Sequence, residues 1–277
     1  MDKKLISEYA KITLEIGVNL QKGQGLEVIC PVDLPFLAEA FAEEGYKLGA
    51  KIVHITWEDE RVERLNFLYA KTDTLTDIPK WQIDKKNYLL DNNFCYVAIA
   101  SENPSAFSDC DEAKLSAYAK AKGLKMKKFS DAVMVNKLRW CVVSYPTKEW
   151  ANTVFPSSSN AEEKLLNAII KTMRLDKDNP VFEWKKHIET LEKRAEFLNK
   201  QNFEYLDYQI VNAFNQSAVT FVVKLDSKYQ PSKINPSLEI PVLTSSKVSP
   251  SSYVLGRVIP SANVPAKSDP SFSFLFS

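Results

Sequence analysis

Four short apolar segments alternate with longer helical segments, and this alternation is the strongest constraint on how the chain can fold. The apolar segments have the length and composition of β-strands: "LEVICP" (26–31), "KIVHITW" (51–57), "CYVAIAS" (95–101) and "RWCVVSYP" (139–146). Each intervening segment is long enough to contain a helix. Strands joined through helices form parallel βαβ units, so the sequence predicts an α/β fold with a mostly parallel sheet covered by helices on both faces.

Helical periodicity fills most of the intervals between these strands and continues after the fourth one. The predicted helices cover residues 33–50 with Asp33 as the N-cap, 58–70, 83–91, a long segment from 111 to 137, a helix opened by a capping box of Asn160 and Glu163, and a helix from Pro180. The helix from Pro180 places apolar residues at alternating spacings of three and four. This spacing predicts one apolar stripe that packs on the sheet domain.

The charge balance excludes two classes of partner. The chain contains 36 Lys and Arg against 35 Asp and Glu, a formal net charge of +1. Such a balance gives no electrostatic attraction to nucleic acid or to an anionic membrane. Acidic residues interrupt the N-terminal segment, and no apolar run reaches the length of a membrane span. We therefore expect a cytoplasmic protein that binds neither nucleic acid nor membrane.

The cysteines and histidines do not form a recognisable site. Cys30, Cys95, Cys110 and Cys141 lie far apart, without paired C-x-x-C spacing. Three of them sit in apolar runs, where buried structural thiols are expected. The chain has two histidines: His54 within an apolar strand, where a core or strand-end position is expected, and His187 on a helix between charged neighbours, where a solvated face is expected. The "GQG" at 23–25 precedes its strand, whereas a dinucleotide fingerprint follows one.

The composition changes in the last quarter of the chain. "FEYLDYQIV" (203–211) and "SAVTFVVKLD" (217–226) predict strands of a β-rich second domain. Residues 231–277 then contain 12 Ser and 7 Pro, with Glu239 and Asp269 as their acidic residues. Prolines at this spacing interrupt helices and restrict strands to sheet edges, so a poorly ordered tail is expected.

Four segments of the chain, 9–33, 49–65, 134–156 and 184–208, carry a recognisable pattern. The most specific part is the order W-C-V-V, P-T-x-x-W-A and V-F-P between 140 and 156. Over roughly residues 5–206 the sequence resembles the metal-dependent aminopeptidase family typified by aminopeptidase T, aminopeptidase S and PepS. The resemblance implies a two-domain exopeptidase that removes N-terminal residues from peptides and forms a homodimer. It also implies an α/β scaffold domain, followed by a catalytic domain that binds two divalent metal ions of the zinc or cobalt type.

The family's metal ligands include a glutamate in an N-x-P-T-E-E-V-F segment of the catalytic domain, and "INPSLEIPV" (234–242) is the one stretch that corresponds to it. Glu239 is therefore the single candidate metal ligand, although Leu238 and Pro241 depart from the family pattern. The expected organisation is an α/β N-terminal domain at 1–205, the first strands of the catalytic domain at 206–230, and a divergent Ser/Pro-rich tail at 231–277. On this interpretation the chain is truncated before most of its metal ligands.

Two interpretations of the chain stay open. It is a metalloaminopeptidase by descent that lacks most of its metal site, or it is a non-catalytic α/β module for interaction or oligomerisation. A frameshift near Gln230 would explain the abrupt change in composition, and a naturally divergent tail is the alternative.

Overall fold

A computed structural model describes residues 2–101, 103–201, 205–211, 218–224, 255–259 and 273–275. The chain divides into two compact units, Met1–Glu183 and Trp184–Ser277. Four strands of the first unit form one sheet, and four strands of the second unit form another. Within the described ranges, no helix is both long enough and apolar enough to cross a membrane.

The first sheet is parallel throughout, as the sequence predicted. Its strands are β1 (Gly25–Pro31), β2 (Ile52–Glu58), β3 (Cys95–Ala100) and β4 (Arg139–Ser144), in the spatial order β2-β1-β3-β4. The register places Glu27 of β1 between His54 of β2 and Tyr96 of β3. Because the order changes direction between β1 and β3, the segments that follow these two strands diverge at the carboxyl edge of the sheet. In open parallel sheets this is the usual place for a ligand.

Helices connect these strands and continue to the second unit. They are α1 (Lys3–Ile12), which continues as a π-helical turn at Thr13–Gly17, α2 (Pro35–Lys47), α3 (Glu60–Tyr69), α4 (Thr72–Thr76), α5 (Lys80–Asp91), α6 (Glu112–Lys125), α7 (Lys127–Met134), α8 (Lys148–Val154), α9 (Ala161–Thr172) and α10 (Pro180–Gln201). The long segment predicted from 111 to 137 is two helices, since Met126 leaves the helical conformation. The sequence analysis did not predict α1, α4 or α8.

Two predicted helix caps differ in the structure. Asp33 does not cap α2, whose N-cap is Leu34, and its carboxylate instead accepts a hydrogen bond from Arg61. Asn160 is the N-cap residue of α9, but its side chain makes no capping bond to the backbone and contacts the carboxylate of Glu163 at 3.4 Å. In both cases the side chain that was expected to cap the helix contacts another side chain instead of the backbone amides of the first turn.

The core of the first unit is centred on β1, whose residues 25–30 are all buried. A strand with neighbours on both sides and helices above and below is mostly apolar on both faces, which explains Leu26, Val28, Ile29 and Cys30, with Glu27 as the exception. Gly25 is required by close packing, because a Cβ atom there would lie 2.4 Å from the ring of Phe94. A smaller cluster of Ala151, Ala161 and Leu165 joins α8 to α9.

The second unit contains an antiparallel sheet in the order β6-β5-β7-β8. Strands β5 (Tyr205–Val211) and β6 (Ala218–Lys224) match the two strands that the sequence predicted at the start of a β-rich domain. Strands β7 (Leu255–Ile259) and β8 (Ser273–Leu275) fall within the Ser/Pro-rich segment. Here β7 is an interior strand that lies between two prolines, Pro250 and Pro260, rather than containing one.

Candidate functional site

The predicted metal ligand Glu239 lies outside the described residues. Among the residues that the structure describes, no group of three or more His, Cys, Asp or Glu side chains is close enough to hold a metal ion. A two-metal centre needs several such ligands that converge on one point. The described residues therefore do not fit the metal pair that the family resemblance implies.

The two histidines occupy positions that do not suit metal ligation. His54 lies inside edge strand β2 with 45% of its side chain exposed, so it is neither in the core nor at a strand end, and the expected position is wrong. Its Nδ1 atom lies 3.9 Å from Oε2 of Glu27, beyond hydrogen-bonding distance. The ring of His187 packs edge-on against Trp184 within α10, with 5.6 Å between the ring centroids. Neither imidazole belongs to a group of possible metal ligands among the described residues.

A buried carboxylate in the middle of the parallel sheet was missed by the sequence analysis. Glu27 lies on the interior strand β1 and is 0% exposed, which is rare for an acidic residue. Its Oε1 atom lies 2.8 Å from Nζ of Lys85 on α5 and accepts a hydrogen bond from the hydroxyl of Thr56. Its Oε2 atom has no hydrogen-bond partner among the described residues. The signal in the sequence was the single acid inside the apolar run "LEVICP".

Beside this carboxylate, a second lysine of α5 is also partly buried. Nζ of Lys86 donates to the hydroxyl of Tyr96 at 2.8 Å and lies over the rings of Tyr96 and Phe129, 4.4 and 5.1 Å from their centroids. Burial lowers the pKa of Lys86 to about 8, while burial raises the pKa of Tyr96 above its ordinary value. Burial and the aromatic contacts account for the shifted pKa values of this pair, and we assign Lys86 a structural role.

The cysteines lack the properties of nucleophiles. Cys30, Cys95 and Cys110 are buried and Cys141 is half-buried, all as free thiols. Burial raises the pKa values of Cys30, Cys95 and Cys141 to about 11. Reactive cysteines have lowered pKa values, so these three thiols are inert at neutral pH, as the sequence analysis expected.

A polar pocket of about 390 Å³ lies at the carboxyl edge of the parallel sheet. We call it the carboxyl-edge pocket, and its lining residues are Glu60, Arg61, Arg64, Asn103, Ser105, Ala106, Ser108 and Asp109. The first three belong to the N-terminal half of α3, which follows β2, and the others belong to the loop that follows β3. Arg61 also donates to Asp33, which follows β1. The lining of the pocket therefore comes from the segments that follow β2 and β3, and Asp33 after β1 binds one of its arginines.

Ion pairs hold the walls of this pocket together. Arg64 donates through both Nε and Nη2 to Asp109, with 2.9 Å from Nε to Oδ1, which links α3 to the loop after β3. Arg61 pairs with Asp33 at 3.2 Å and with Asp59 at 3.0 Å. Hydrogen bonds from the two guanidinium groups lower the pKa values of Asp59 and Asp109. Both acids are therefore charged over the physiological pH range.

The backbone of the loop is fixed as well. The amide of Asn103 donates to Oε2 of Glu60 at 3.0 Å, and Oδ1 of Asn103 accepts from the amide of Ser105. The side chain of Asp59 caps α3 by accepting from the amides of Arg61 and Val62. These contacts shape the pocket before any ligand binds, which lowers the entropic cost of binding.

The residues that carry the family resemblance between 140 and 156 have structural roles in the described unit. Thr147 caps α8 by accepting from the amide of Trp150 at 3.2 Å. Ala151 is fully buried, and Trp150 and Phe155 pack around its cluster with α9. The P-T-x-x-W-A pattern thus corresponds to a helix start and a packing contact.

Comparison with known proteins identifies the family of the chain. Residues 2–220 match the family described as thermophilic metalloprotease (M29), and the chain belongs to this family. Aminopeptidase PepS of Streptococcus thermophilus is 34% identical over 209 residues, which are 74% of this chain and 51% of that protein. Aminopeptidase AmpS of Bacillus subtilis is 30% identical over 206 residues, 74% of this chain and 50% of that protein.

The fold is also found in a solved structure. Wild-type AmpT from Thermus thermophilus matches with a TM-score of 0.70 and 22% identity, over 80% of this chain and 54% of that one. This similarity concerns the fold alone. The chain spans about half the length of the curated relatives it matches.

Proposed function

We propose that the protein is a metal-dependent aminopeptidase, which hydrolyses the N-terminal peptide bond of peptide substrates with two divalent metal ions of the zinc or cobalt type. The observation that carries this proposal is the family match over residues 2–220, with named aminopeptidases among the relatives. The described α/β unit would serve as the scaffold, since its side chains offer no group of three metal ligands. Metal ions in such a centre polarise the peptide carbonyl and activate water.

We further propose that this chain by itself lacks most of the metal ligands. Its domains would be residues 1–205 as the α/β N-terminal domain, 206–230 as the first strands of the catalytic domain, and 231–277 as a divergent tail. Within that tail, Glu239 is the single candidate ligand, and residues after 187 contain no histidine. A site with one carboxylate and no imidazole would hold zinc or cobalt weakly.

The remaining parts of the proposal concern partners and location. A net charge of +1 supports the absence of nucleic-acid partners, because phosphate binding requires clustered basic charge. A homodimer and a cytoplasmic location complete the proposal, both carried over from the family resemblance and the sequence analysis. Sedimentation of the purified chain tests the dimer.

Metal titration and a hydrolysis assay test whether the chain is active by itself. The purified chain is stripped with a chelator, titrated with cobalt or zinc by calorimetry, and assayed with leucine p-nitroanilide. We expect weak metal binding and no turnover. A Glu239→Gln variant should lower any residual affinity, whereas Glu189→Gln, an exposed acid on α10, should not. Tight binding of two metal ions, or turnover, would contradict the proposal that ligands are missing.

A non-catalytic α/β module is the second candidate function. It is favoured by the lack of a metal-ligand group among the described side chains. If the chain forms a stable oligomer and neither metal ion gives turnover, the module becomes the better description of this chain. Turnover with added metal would exclude it.

A further inference from the structure

The carboxyl-edge pocket combines both signs of charge in its lining. Glu60 and Asp109 supply two carboxylates, and Arg61 and Arg64 supply two guanidinium groups. Asp33 and Asp59, which pair with Arg61, add two carboxylates beside the lining, so a bound molecule has charges of both signs within reach. The pocket suits a small molecule that carries one group of each sign, because both ends then find a partner.

Donors remain available in the lining after the wall contacts are made. Arg61 and Arg64 each use Nε and Nη2 for their carboxylate partners, and among the described residues Nη1 of neither arginine has a hydrogen-bond partner. The hydroxyls of Ser105 and Ser108 likewise have no partner within the part of the chain that the structure describes. Guanidinium and hydroxyl donors are the groups that bind carboxylates in proteins.

Place and size agree with a ligand site. The pocket lies where the strand order changes direction, and its volume of about 390 Å³ is within the range of small-molecule sites, roughly 300–1,000 Å³. A free amino acid or a dipeptide is small enough for this volume. The walls are fixed by ion pairs and by the bond from the amide of Asn103 to Glu60, so little ordering accompanies binding.

We propose that the carboxyl-edge pocket binds a small zwitterion with a free ammonium and a free carboxylate group, that is, an α-amino acid or a dipeptide. The carboxylate of the ligand accepts hydrogen bonds from Nη1 of Arg61 or Arg64 and from the serine hydroxyls. The ammonium group donates to the carboxylates of Asp109 and Glu60. This proposal concerns binding alone and does not depend on aminopeptidase activity.

Calorimetry on the full chain tests the ligand chemistry. The probes are leucine, the dipeptide Leu-Leu, N-acetyl-leucine without an ammonium group, leucinamide without a carboxylate, inorganic phosphate and putrescine. We expect saturable binding of leucine or Leu-Leu with a Kd of about 1 mM or tighter. The tighter binder of the two shows whether the ligand is an amino acid or a dipeptide. Blocking either end should weaken binding at least about tenfold, which corresponds to about 1.4 kcal/mol.

Matched variants test the location. Arg64→Gln and Asp109→Asn should each weaken binding at least about tenfold. Lys128→Gln and Asp91→Asn remove the same charges from an exposed ion pair between α7 and α5 and should leave binding unchanged. Ser108→Trp, at an exposed position, fills the pocket without changing a charge and serves if the ion-pair variants fail to fold.

Three results would overturn the proposal. The first is no saturable binding of leucine or Leu-Leu. The second is tighter binding of phosphate or putrescine than of either zwitterion, which would identify a simple anion or cation site. The third is an equal loss in the Lys128 and Asp91 controls, or unchanged binding in folded Ser108→Trp.

Discussion

At the scale of single residues, the most constrained group is the carboxylate of Glu27. A fully buried charge is tolerated only with a partner, and Lys85 supplies it from α5, with the hydroxyl of Thr56 as a second contact. The side chain of Lys85 is 38% exposed, so water reaches the lysine but not the carboxylate of Glu27. Removal of the lysine therefore leaves an uncompensated charge inside the sheet.

We predict that Lys85→Met lowers the free energy of unfolding by about 3 kcal/mol, because it leaves a buried carboxylate without its cation. Lys128→Met removes a lysine from the exposed pair with Asp91 and should cost about 0–1 kcal/mol. Urea unfolding followed by circular dichroism measures both. Equal losses in the two variants would show that Glu27 does not depend on Lys85.

Lys86 leads to a prediction about pH. Burial lowers its pKa to about 8, below the ordinary lysine value of 10.5. Between these pH values the unfolded chain holds a proton that the folded chain has released, so this group's contribution to stability rises with pH from about 8 to 10.5. Lys86→Met removes this contribution. The stability of the unaltered protein minus that of the variant should therefore increase over this interval, by about 3 kcal/mol at most.

Unfolding curves at several pH values measure this difference. The buried thiols and tyrosines titrate in both proteins and largely cancel. Lys125→Met, at an exposed position on α6, is the matched control and should give a difference that does not change with pH. If the stability difference for Lys86→Met also stays constant with pH, burial does not lower the pKa of Lys86.

At the scale of elements, glycines show where packing rather than local propensity decides the sequence. Gly25 opens β1 against the buried ring of Phe94, which leaves no room for a Cβ atom. Gly123 lies inside α6, and nothing stands within 4 Å of the Cβ that a substitution would add. The first position requires glycine, whereas the second carries a residue that weakens its helix.

We predict opposite effects of the same substitution at these two positions. Gly25→Ala should destabilise the protein by about 1–3 kcal/mol, since the phenylalanine ring or the strand must shift. Gly123→Ala should stabilise it by up to about 1 kcal/mol through helix propensity. Thermal unfolding of both variants beside the unaltered chain measures the effects, and a stabilised Gly25→Ala would contradict the packing described for β1.

At the scale of the whole molecule, the family match and the composition divide the chain at nearly the same place. The match ends at residue 220, and the relatives are about twice as long as the region they share with this chain. From residue 231 acids almost vanish, and the five tryptophans all lie earlier in the chain. The family similarity and the composition thus change within about a dozen residues of each other.

We predict that the coding DNA beyond codon 230, read in one of the two other frames, encodes family-like sequence with an N-x-P-T-E-E segment and histidine-bearing metal motifs. The reason is that a two-metal centre needs converging carboxylates and imidazoles, and residues 231–277 contain two acids and no histidine. Sequencing of the locus gives the answer. If neither frame encodes such motifs, the frameshift interpretation is wrong and natural divergence of the tail is favoured.

The sequence by itself determined the parallel α/β unit, its four strands, the first two strands of the second sheet and the family. These follow from local patterns, because apolar periodicity and strand length are properties of neighbouring residues. Helix caps were less predictable. Aspartate is a common N-cap residue, but the carboxylate of Asp33 binds Arg61 of another helix instead. The predicted metal ligand Glu239 stays a prediction.

Only the tertiary structure decided the carboxyl-edge pocket and the partners of the buried charge. Arg64 and Asp109 are 45 residues apart, and the side chains that line the pocket follow different strands. Neither segment has a motif of its own that predicts a site. Such contacts depend on the strand order β2-β1-β3-β4, which brings the ends of three parallel strands to one edge, and strand order is a property of the whole chain path rather than of any short segment.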